Sequence, residues 1–393
     1  MKILVLTSRF PYPVVGGDRL RIFELCRYLS RYHDLTLVSL CESPDEMHLD
    51  LSNDNVFQKV YRVYKSPVSS IISSFIGFIT GKPLQVGYYR SSKFSAVCKS
   101  LEGEHDCVLA HLVRMGDQAL SLSLPVVTEM TDAISLNYKR VLSTTDVTGL
   151  RATIYRFEYF RLLRYESYLI NRSKSSIVVS EIDKQYLVTN AEVSDSKISV
   201  FSNGVGLNSL KYCYQPDGKT ILFIGNMFSL QNFDAALWFA KKVLPLLNQD
   251  ENHYIFRVLG KIRDSDRSVL SKIANVEVTG LVDSVPLASV GAVVAVCPIR
   301  IGAGIQNKVL EYFALGIPCC LTRFGFEGII PEFEDFVMLC DTPDEYADAI
   351  QSIISDTKLA QKMSLEARKL VERHYSWDAQ LSGVERLFQK KSC

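Results

Sequence analysis

The sequence predicts an α/β protein built from two doubly wound parallel-sheet domains, and three observations carry that expectation. The chain has 393 residues, more than one ordinary domain of about 100–200 residues requires. Short β-branched runs alternate with helical-period segments from end to end, the pattern of repeated βα units. The series also starts twice, at residues 3–6 and again at residues 220–225.

The elements follow in order. Residues 3–6 form a first strand, and a loop containing Pro11, Pro13, Gly16 and Gly17 leads into a helix over residues 20–30, where Ile22, Phe23, Leu25, Cys26 and Leu29 repeat at helical spacing. Residues 35–40 are the next strand, and 107–110, 126–128, 176–179 and 198–201 read as further buried strands. The second series runs through residues 255–259, 276–278, 292–297, 319–322 and 337–340. Between the halves, residues 204–218 hold Gly206, Asn208, Pro216, Asp217 and Gly218, a loop composition. The expected domains are 1–205 together with 376–393, reached by a C-terminal helix crossing back, and 206–375.

Composition narrows the classes. Hydrophobic residues at 47% and charged residues at 22% describe a folded chain and exclude a disordered one. Lys and Arg number 44 against 43 Asp and Glu, so no global field exists to hold nucleic acid. The first 205 residues carry +3 and the remainder −2. Ten cysteines show no Cys-x-x-Cys spacing and are read as buried, reduced thiols. The N-terminal apolar run ends at Ser8-Arg9 without a cleavage site, as a strand rather than a signal peptide does. Residues 67–80 bring Ile71, Ile72, Phe75, Ile76, Phe78 and Ile79 together among serines, too short a run to span a membrane but suited to graze one. Residues 151–174 interleave Arg151, Arg156, Arg161, Arg164, Arg172 and Lys174 with Tyr155, Phe157, Tyr159, Phe160 and Tyr165. Contact with anionic lipid or a pyrophosphate-linked acceptor is one reading, and a solvated surface helix with an apolar inner face is the other.

The most informative segment is residues 297–318. A buried strand delivers the chain to Arg300, Gly302, Ala303 and Gly304. A helix then starts near Ile305, carries Gln306, Asn307, Lys308 and Glu311, and stops at Gly316-Ile317-Pro318. Backbone amides at such a turn approach an anion, and the helix N-terminus adds about half a positive charge. A lysine in the first turn gains nothing from that dipole, so neutralising a diphosphate would account for Lys308. Glu311 follows three residues on, where a carboxylate accepts two hydroxyls of a ribose; a Lys–Glu pair on a solvent face is the structural alternative.

This segment resembles the nucleotide-binding motif of glycosyltransferase family 4, retaining enzymes of the GT-B fold in which two Rossmann-like domains face each other across a cleft. Supporting matches cover most of the chain: Gly16-Gly17-Asp18-Arg19-Leu20-Arg21, residues 106–111, Val179-Ser180, Ser202-Asn203-Gly204-Val205, Phe223-Ile224-Gly225-Asn226-Met227, Val278-Thr279-Gly280, residues 311–318 and Tyr375-Ser376-Trp377. The resemblance implies a nucleotide diphosphate sugar as donor, bound by the second domain through Gly225, Asn226, the amides of Gly302, Ala303 and Gly304, Gln306, Asn307, Lys308 and Glu311. Gly16 and Gly17 would close over the diphosphate, and His111 would lie beside the transferred sugar. Arg114 and Asp132 would hold the acceptor, with N-capping or a surface salt bridge as the rival role.

Departures from the family pattern are informative. Its pair of acidic residues separated by seven intervening residues would need a carboxylate at Ala303, Asn226 and Asn232 stand where basic residues are frequent, and Gly206 follows Asn-Gly-Val where an aspartate is common. Arg300 and Lys308, with Arg263, would then stabilise the leaving diphosphate. No metal or other cofactor is expected. The expected activity is retaining transfer by front-face departure to a glycan or lipid-linked acceptor in surface polysaccharide synthesis, in the cytoplasm and peripheral to the inner face of the membrane. The alternatives are a nucleotide-sugar epimerase and a non-catalytic sugar-nucleotide binder on the same fold. A nicotinamide-dependent oxidoreductase is disfavoured because Gly16-Gly17 is no Gly-x-Gly-x-x-Gly fingerprint.

Overall fold

The computed structural model describes residues 1–14, 17–49, 51, 55–143, 149–249, 253–300 and 305–389. They divide into two units, Met1–Ser202 with Leu381–Cys393, and Asn203–Gln380.

In the first unit, β1 (Lys2–Thr7), β2 (Asp34–Cys41), β3 (Lys59–Tyr64), β4 (Cys107–His111), β5 (Val126–Thr131), β6 (Ser175–Val178) and β7 (Ile198–Val200) form one sheet in the order β3-β2-β1-β4-β5-β6-β7. Every pairing is parallel, with Ile3 opposite both Leu35 and Cys107 and His111 opposite Glu129. A parallel sheet is covered on both faces, and for that reason Ile3, Leu4, Val5 and Leu6 are all fully buried rather than alternating. Strand β3 was not anticipated from the sequence. It is an edge strand whose Lys59 and Arg62 interrupt the apolar run, and Arg62 is held over the Phe10 ring at 4.5 Å while donating to the Met47 and Leu49 carbonyls.

The helices that matter here are α1 (Gly17–Leu29), α2 (Pro67–Ile79), α3 (Leu84–Tyr88), α4 (Ile134–Ser143), α5 (Gly149–Arg172) and α6 (Glu181–Asn190). Ser66 caps α2, accepting from the Ser69 amide, with Pro67 at the first helical position where its missing N–H costs nothing. Where α4, α5 and α6 meet, Glu166 of α5 is wholly buried and accepts from the amide and the hydroxyl of Ser135. Burial pushes its pKa up to about 7, with Asp183 adding to the rise. The native state therefore holds this proton more tightly than the unfolded chain does. The stability this supplies is present below the ordinary glutamate range near 4.5 and is lost as pH rises through 7, in total on the order of 3 kcal/mol. Glu166→Gln keeps both hydrogen bonds with Ser135 as donor and acceptor, so it should be more stable than the parent at pH 8 and no more stable at pH 5. Urea unfolding at the two pH values checks this.

The second unit pairs β8 (Pro216–Ile224), β9 (Ile255–Leu259), β10 (Val276–Gly280), β11 (Gly291–Cys297), β12 (Cys319–Leu321) and β13 (Met338–Leu339) in the order β10-β9-β8-β11-β12-β13, again all parallel. Its relevant helices are α7 (Leu230–Trp238), α8 (Asn307–Leu315) and α9 (Thr357–His374). The helix expected from Ile305 begins at Asn307 and ends at Gly316, which takes the left-handed conformation, φ 75°. Tyr312 seats α8 on the sheet: its hydroxyl accepts from the Ile224 amide of β8 and donates to the Val296 carbonyl of β11. Arg368 of α9 donates to the Ala314 carbonyl at the other end of α8.

In both sheets the strand order reverses once, between β1 and β4 and between β8 and β11. Ligands of open parallel sheets bind beyond the carboxyl ends of the strands at such a reversal. His111 ends β4, and the segment from Arg300 to Glu311 follows β11, so both groups of candidate residues stand at a reversal point of their own sheet.

Candidate functional site

In the second unit, three strand ends close in on one another. Gly225 follows β8, Gly260 follows β9 and Gly280 ends β10; the Gly225 amide donates to the Leu259 carbonyl and the Gly260 amide to the Gly280 carbonyl. Gly260 has φ 123°, and a Cβ there would lie 2.0 Å from the Gly225 carbonyl oxygen, so only glycine permits this approach. Asn226 is exposed; its side-chain oxygen accepts from the Phe228 amide, and its carbonyl accepts from Asn232 of α7.

Lys308, in the first turn of α8, is buried against the Phe223 ring, with its Nζ 5.4 Å from the centroid. The ammonium donates to Asn232 Oδ1 at 2.6 Å and Gln306 Oε1 at 3.3 Å, two neutral amide oxygens, and makes no ion pair among the described residues. Burial lowers its pKa from the lysine value, partly opposed by Cys297 and Glu311. Glu311, one turn on and half-buried, is pushed up to about 7 by burial against the opposing charge of Lys308. It accepts no hydrogen bond from a described residue. Asn307, at the start of the same helix, accepts from Asn203 at 2.9 Å, and the Asn203 side-chain oxygen is buried without a partner.

Arg300 behaves differently from Lys308. It is exposed, its Nη2 donates to both carboxylate oxygens of Asp234 of α7 at 2.9 and 3.0 Å, and it lies over the Trp238 ring. Asn232 and Asp234 stand two positions apart on α7, so the partners of Lys308 and Arg300 project from different faces of that helix. Arg263 lies over Phe228 at 4.7 Å and is paired with Asp266, and Lys261, which the sequence reading passed over, lies over the same ring at 5.0 Å. Gly302, Ala303 and Gly304 lie outside the described residues.

In the first unit, His111 is buried at the end of β4, with Nδ1 2.7 Å from Glu129 Oε2 on the adjacent strand β5. Glu129 is also bound by Arg21 of α1 at 3.2 Å, and Arg21, itself fully buried, donates to the carbonyls of Phe201 and Ser202. Burial works to raise the Glu129 pKa, but the hydrogen bond and charge of His111 and the charge of Arg21 outweigh it and hold the carboxylate at about 2. An ionised Glu129 accepts a hydrogen bond from the Nδ1–H of His111 and leaves Nε2 as the working nitrogen. Neither Glu129 nor Arg21 was identified from the sequence. The one available signal was Arg21 at helical register with Ile22, Leu25 and Leu29, an arginine on an inward face.

Arg114 donates to Gln85 at 3.2 Å and lies over Tyr89 at 5.1 Å, with its Nη1 buried and unpartnered. Tyr89, Tyr88, Ser8, Glu42, Lys65 and Ser70 line a cavity of about 260 Å³ beside it. Ser8 Oγ is buried there without a partner, and burial lowers the Lys65 amine to about 8. Asp132 is not among these groups. Burial and the charges of Asp183 and Glu129 raise its pKa well above the aspartate range. Gly17 is the exposed first residue of α1, followed by Asp18, which pairs with Arg9 at 3.3 Å, whereas Gly16 lies outside the described residues.

With this geometry in hand, comparison with known proteins is informative. Residues 218–356, which include Lys308 and Glu311, match the family model described as Glycosyl transferases group 1. A Klebsiella pneumoniae protein described as an uncharacterized 44.6 kDa protein in the cps region is 21% identical over 390 residues, 95% of this chain and 96% of its own. Anabaena HepE, solved in complex with UDP, superposes with a TM-score of 0.68 at 14% identity over 98% of this chain and 99% of its own. Sucrose-phosphate synthase from Thermosynechococcus elongatus gives 0.74 at 16% identity over 99% of this chain and 98% of its own. The fold is thus the GT-B type, two parallel-sheet α/β domains.

Proposed function

We propose that the protein is a retaining glycosyltransferase that moves a sugar from a nucleotide diphosphate donor to the hydroxyl of a glycan or lipid-linked acceptor in surface polysaccharide synthesis. The observation that carries this reading is Lys308: a buried ammonium at a helix N-terminus, satisfied only by amide oxygens, with the half-buried Glu311 carboxylate one turn along. A diphosphate would supply the negative charge that the ammonium lacks, and Glu311 would accept two ribose hydroxyls. In transfer, Lys308 and the α8 amides stabilise the charge that develops on the departing phosphate, whose oxygen takes the acceptor proton. Arg300, already paired with Asp234, contributes less than Lys308 in this scheme. On the acceptor side, His111 Nε2 and Arg114, beside the cavity under Tyr89, offer hydrogen-bond partners to hydroxyls. UDP in HepE supports a uridine donor, and the cps-region relative supports a surface-polysaccharide acceptor.

The binding step has a pH signature. Glu311 accepts a ribose hydroxyl on each of its oxygens only when ionised, and its pKa of about 7 leaves it mostly protonated at pH 6 and mostly ionised at pH 8. Calorimetric affinity for UDP-glucose, whose phosphates carry no proton in this range, should rise about tenfold from pH 6 to pH 8. Glu311→Gln should remove the rise. Absence of binding at any pH would sink the assignment, and epimerised donor formed without acceptor would make the protein an epimerase instead.

A further inference from the structure

A surface helix ordinarily turns its large apolar side chains inward and its small or polar ones to water. Helix α2 does the reverse. Its inner face is made of Ser70, Ser74 and Gly77: Ser74 donates to the Leu84 carbonyl at 3.0 Å, and Gly77 packs so closely on α3 that a Cβ would lie 2.8 Å from the Gly87 Cα. Its outer face presents Val68, Ile71, Ile72, Phe75, Ile76 and Ile79, each between 49% and 70% exposed. Those positions follow one another at intervals of three and one, a continuous stripe along the helix, and α2 contains no charged residue.

The stripe continues onto α5. Phe78 meets Phe157 at 6.0 Å, and the Arg161 guanidinium covers both rings at 4.2 and 4.5 Å while donating to the Phe78 carbonyl. Phe157 and Phe160 are exposed beside Arg156 and Arg164, whereas the two carboxylates of α5, Glu158 and Glu166, are buried. Both carboxylates of this helix are turned inward, while Arg156 and Arg164 are left exposed. Two such faces would repel, so a second copy of the chain is a poor cover; an anionic surface with an apolar interior matches both features. At 13 residues α2 is too short to cross a bilayer, and no helix among the described residues is long and apolar enough to do so.

We propose that α2 and the exposed face of α5 form a docking surface for an anionic bilayer, with the α2 stripe sunk at the boundary of headgroups and acyl chains and Arg156 and Arg164 on lipid phosphates. The surface belongs to the first unit and shares no residue with the Lys308 and Glu311 site of the second, so its failure and that of the glycosyltransferase reading are separable. The test is co-sedimentation of the full chain with vesicles of phosphatidylcholine alone and of phosphatidylcholine mixed equally with phosphatidylglycerol. Binding is expected to the mixed vesicles and to weaken with salt. Phe75→Glu should reduce it at least about tenfold, and Arg156→Ala with Arg164→Ala about twenty-fivefold, taking about fivefold per arginine near the surface, with the circular dichroism spectrum and UDP-glucose affinity of each variant unchanged. Failure of the parent to sediment with mixed vesicles overturns the proposal. So does equal binding to both vesicle types, or a solution dimer that Phe75→Glu dissociates.

Discussion

Lys308→Ala is expected to lower sugar transfer by about 100- to 1000-fold while leaving the melting temperature close to that of the parent. The rate loss is what removal of one preorganised charge or donor costs at a site where negative charge develops. The unchanged stability follows from the ligand-free geometry. The ammonium is buried, its pKa is lowered by that burial, and only two neutral oxygens hold it, so the native protein loses little when the charge goes. A structural lysine would give the opposite pair of results, with unfolding and little specific effect on turnover. Lys308→Arg keeps the charge but has to place a planar guanidinium in a slot shaped by Phe223 and Asn232, and it should restore only part of the rate. Measurement of kcat and KM separately distinguishes leaving-group stabilisation from donor binding, since loss of the former appears in kcat.

Glu129→Gln should be the most destabilising conservative change in the first unit, by about 3–5 kcal/mol, because it leaves the buried Arg21 charge without its counter-ion. Its pH dependence has a definite sign. The native carboxylate titrates near 2 against an unfolded value near 4.5, so it contributes stability above 4.5 that is lost as pH falls toward 2, about 3 kcal/mol in all. The parent should therefore weaken between these limits more steeply than Glu129→Gln does. Adding Arg21→Met to Glu129→Gln removes the stranded charge and should recover part of the loss, which separates an ion-pair effect from a packing effect. If Glu129→Gln melts like the parent at pH 7, the triad of Arg21, Glu129 and His111 has no structural weight. In the double variant a residual fall in transfer would report on the orientation of His111, whose Nδ1 proton Glu129 accepts.

Much of the α8 cluster was legible along the chain because its parts are local. Lys308, Glu311 and Gly316 fall within one helix and its cap, and spacing of three residues on a helix places side chains together whatever the rest of the molecule does. The partner of Lys308 was not legible: Asn232 lies 76 positions away, and the same helix offers Asp234 to Arg300. The cluster at the end of β4 shows the same limit more sharply. Residues 106–111 marked His111, yet Glu129 is its partner only because β4 and β5 are neighbours in that register, and Arg21 joins them from 108 positions away.

Helix α2 gives the clearest division between what the chain dictates and what the fold adds. Periodicity and the absence of charge determined that residues 67–79 form an apolar helix, since those are local properties of the backbone and its side chains. Which face is turned inward was decided by α3, whose Gly87 admits only the serine and glycine side of α2. Sequence by itself determined two series of βα units and the chemistry available at the ends of their strands. The tertiary structure decided which of those groups meet, because strand order and register bring together residues a hundred positions apart, and no local preference encodes that distance.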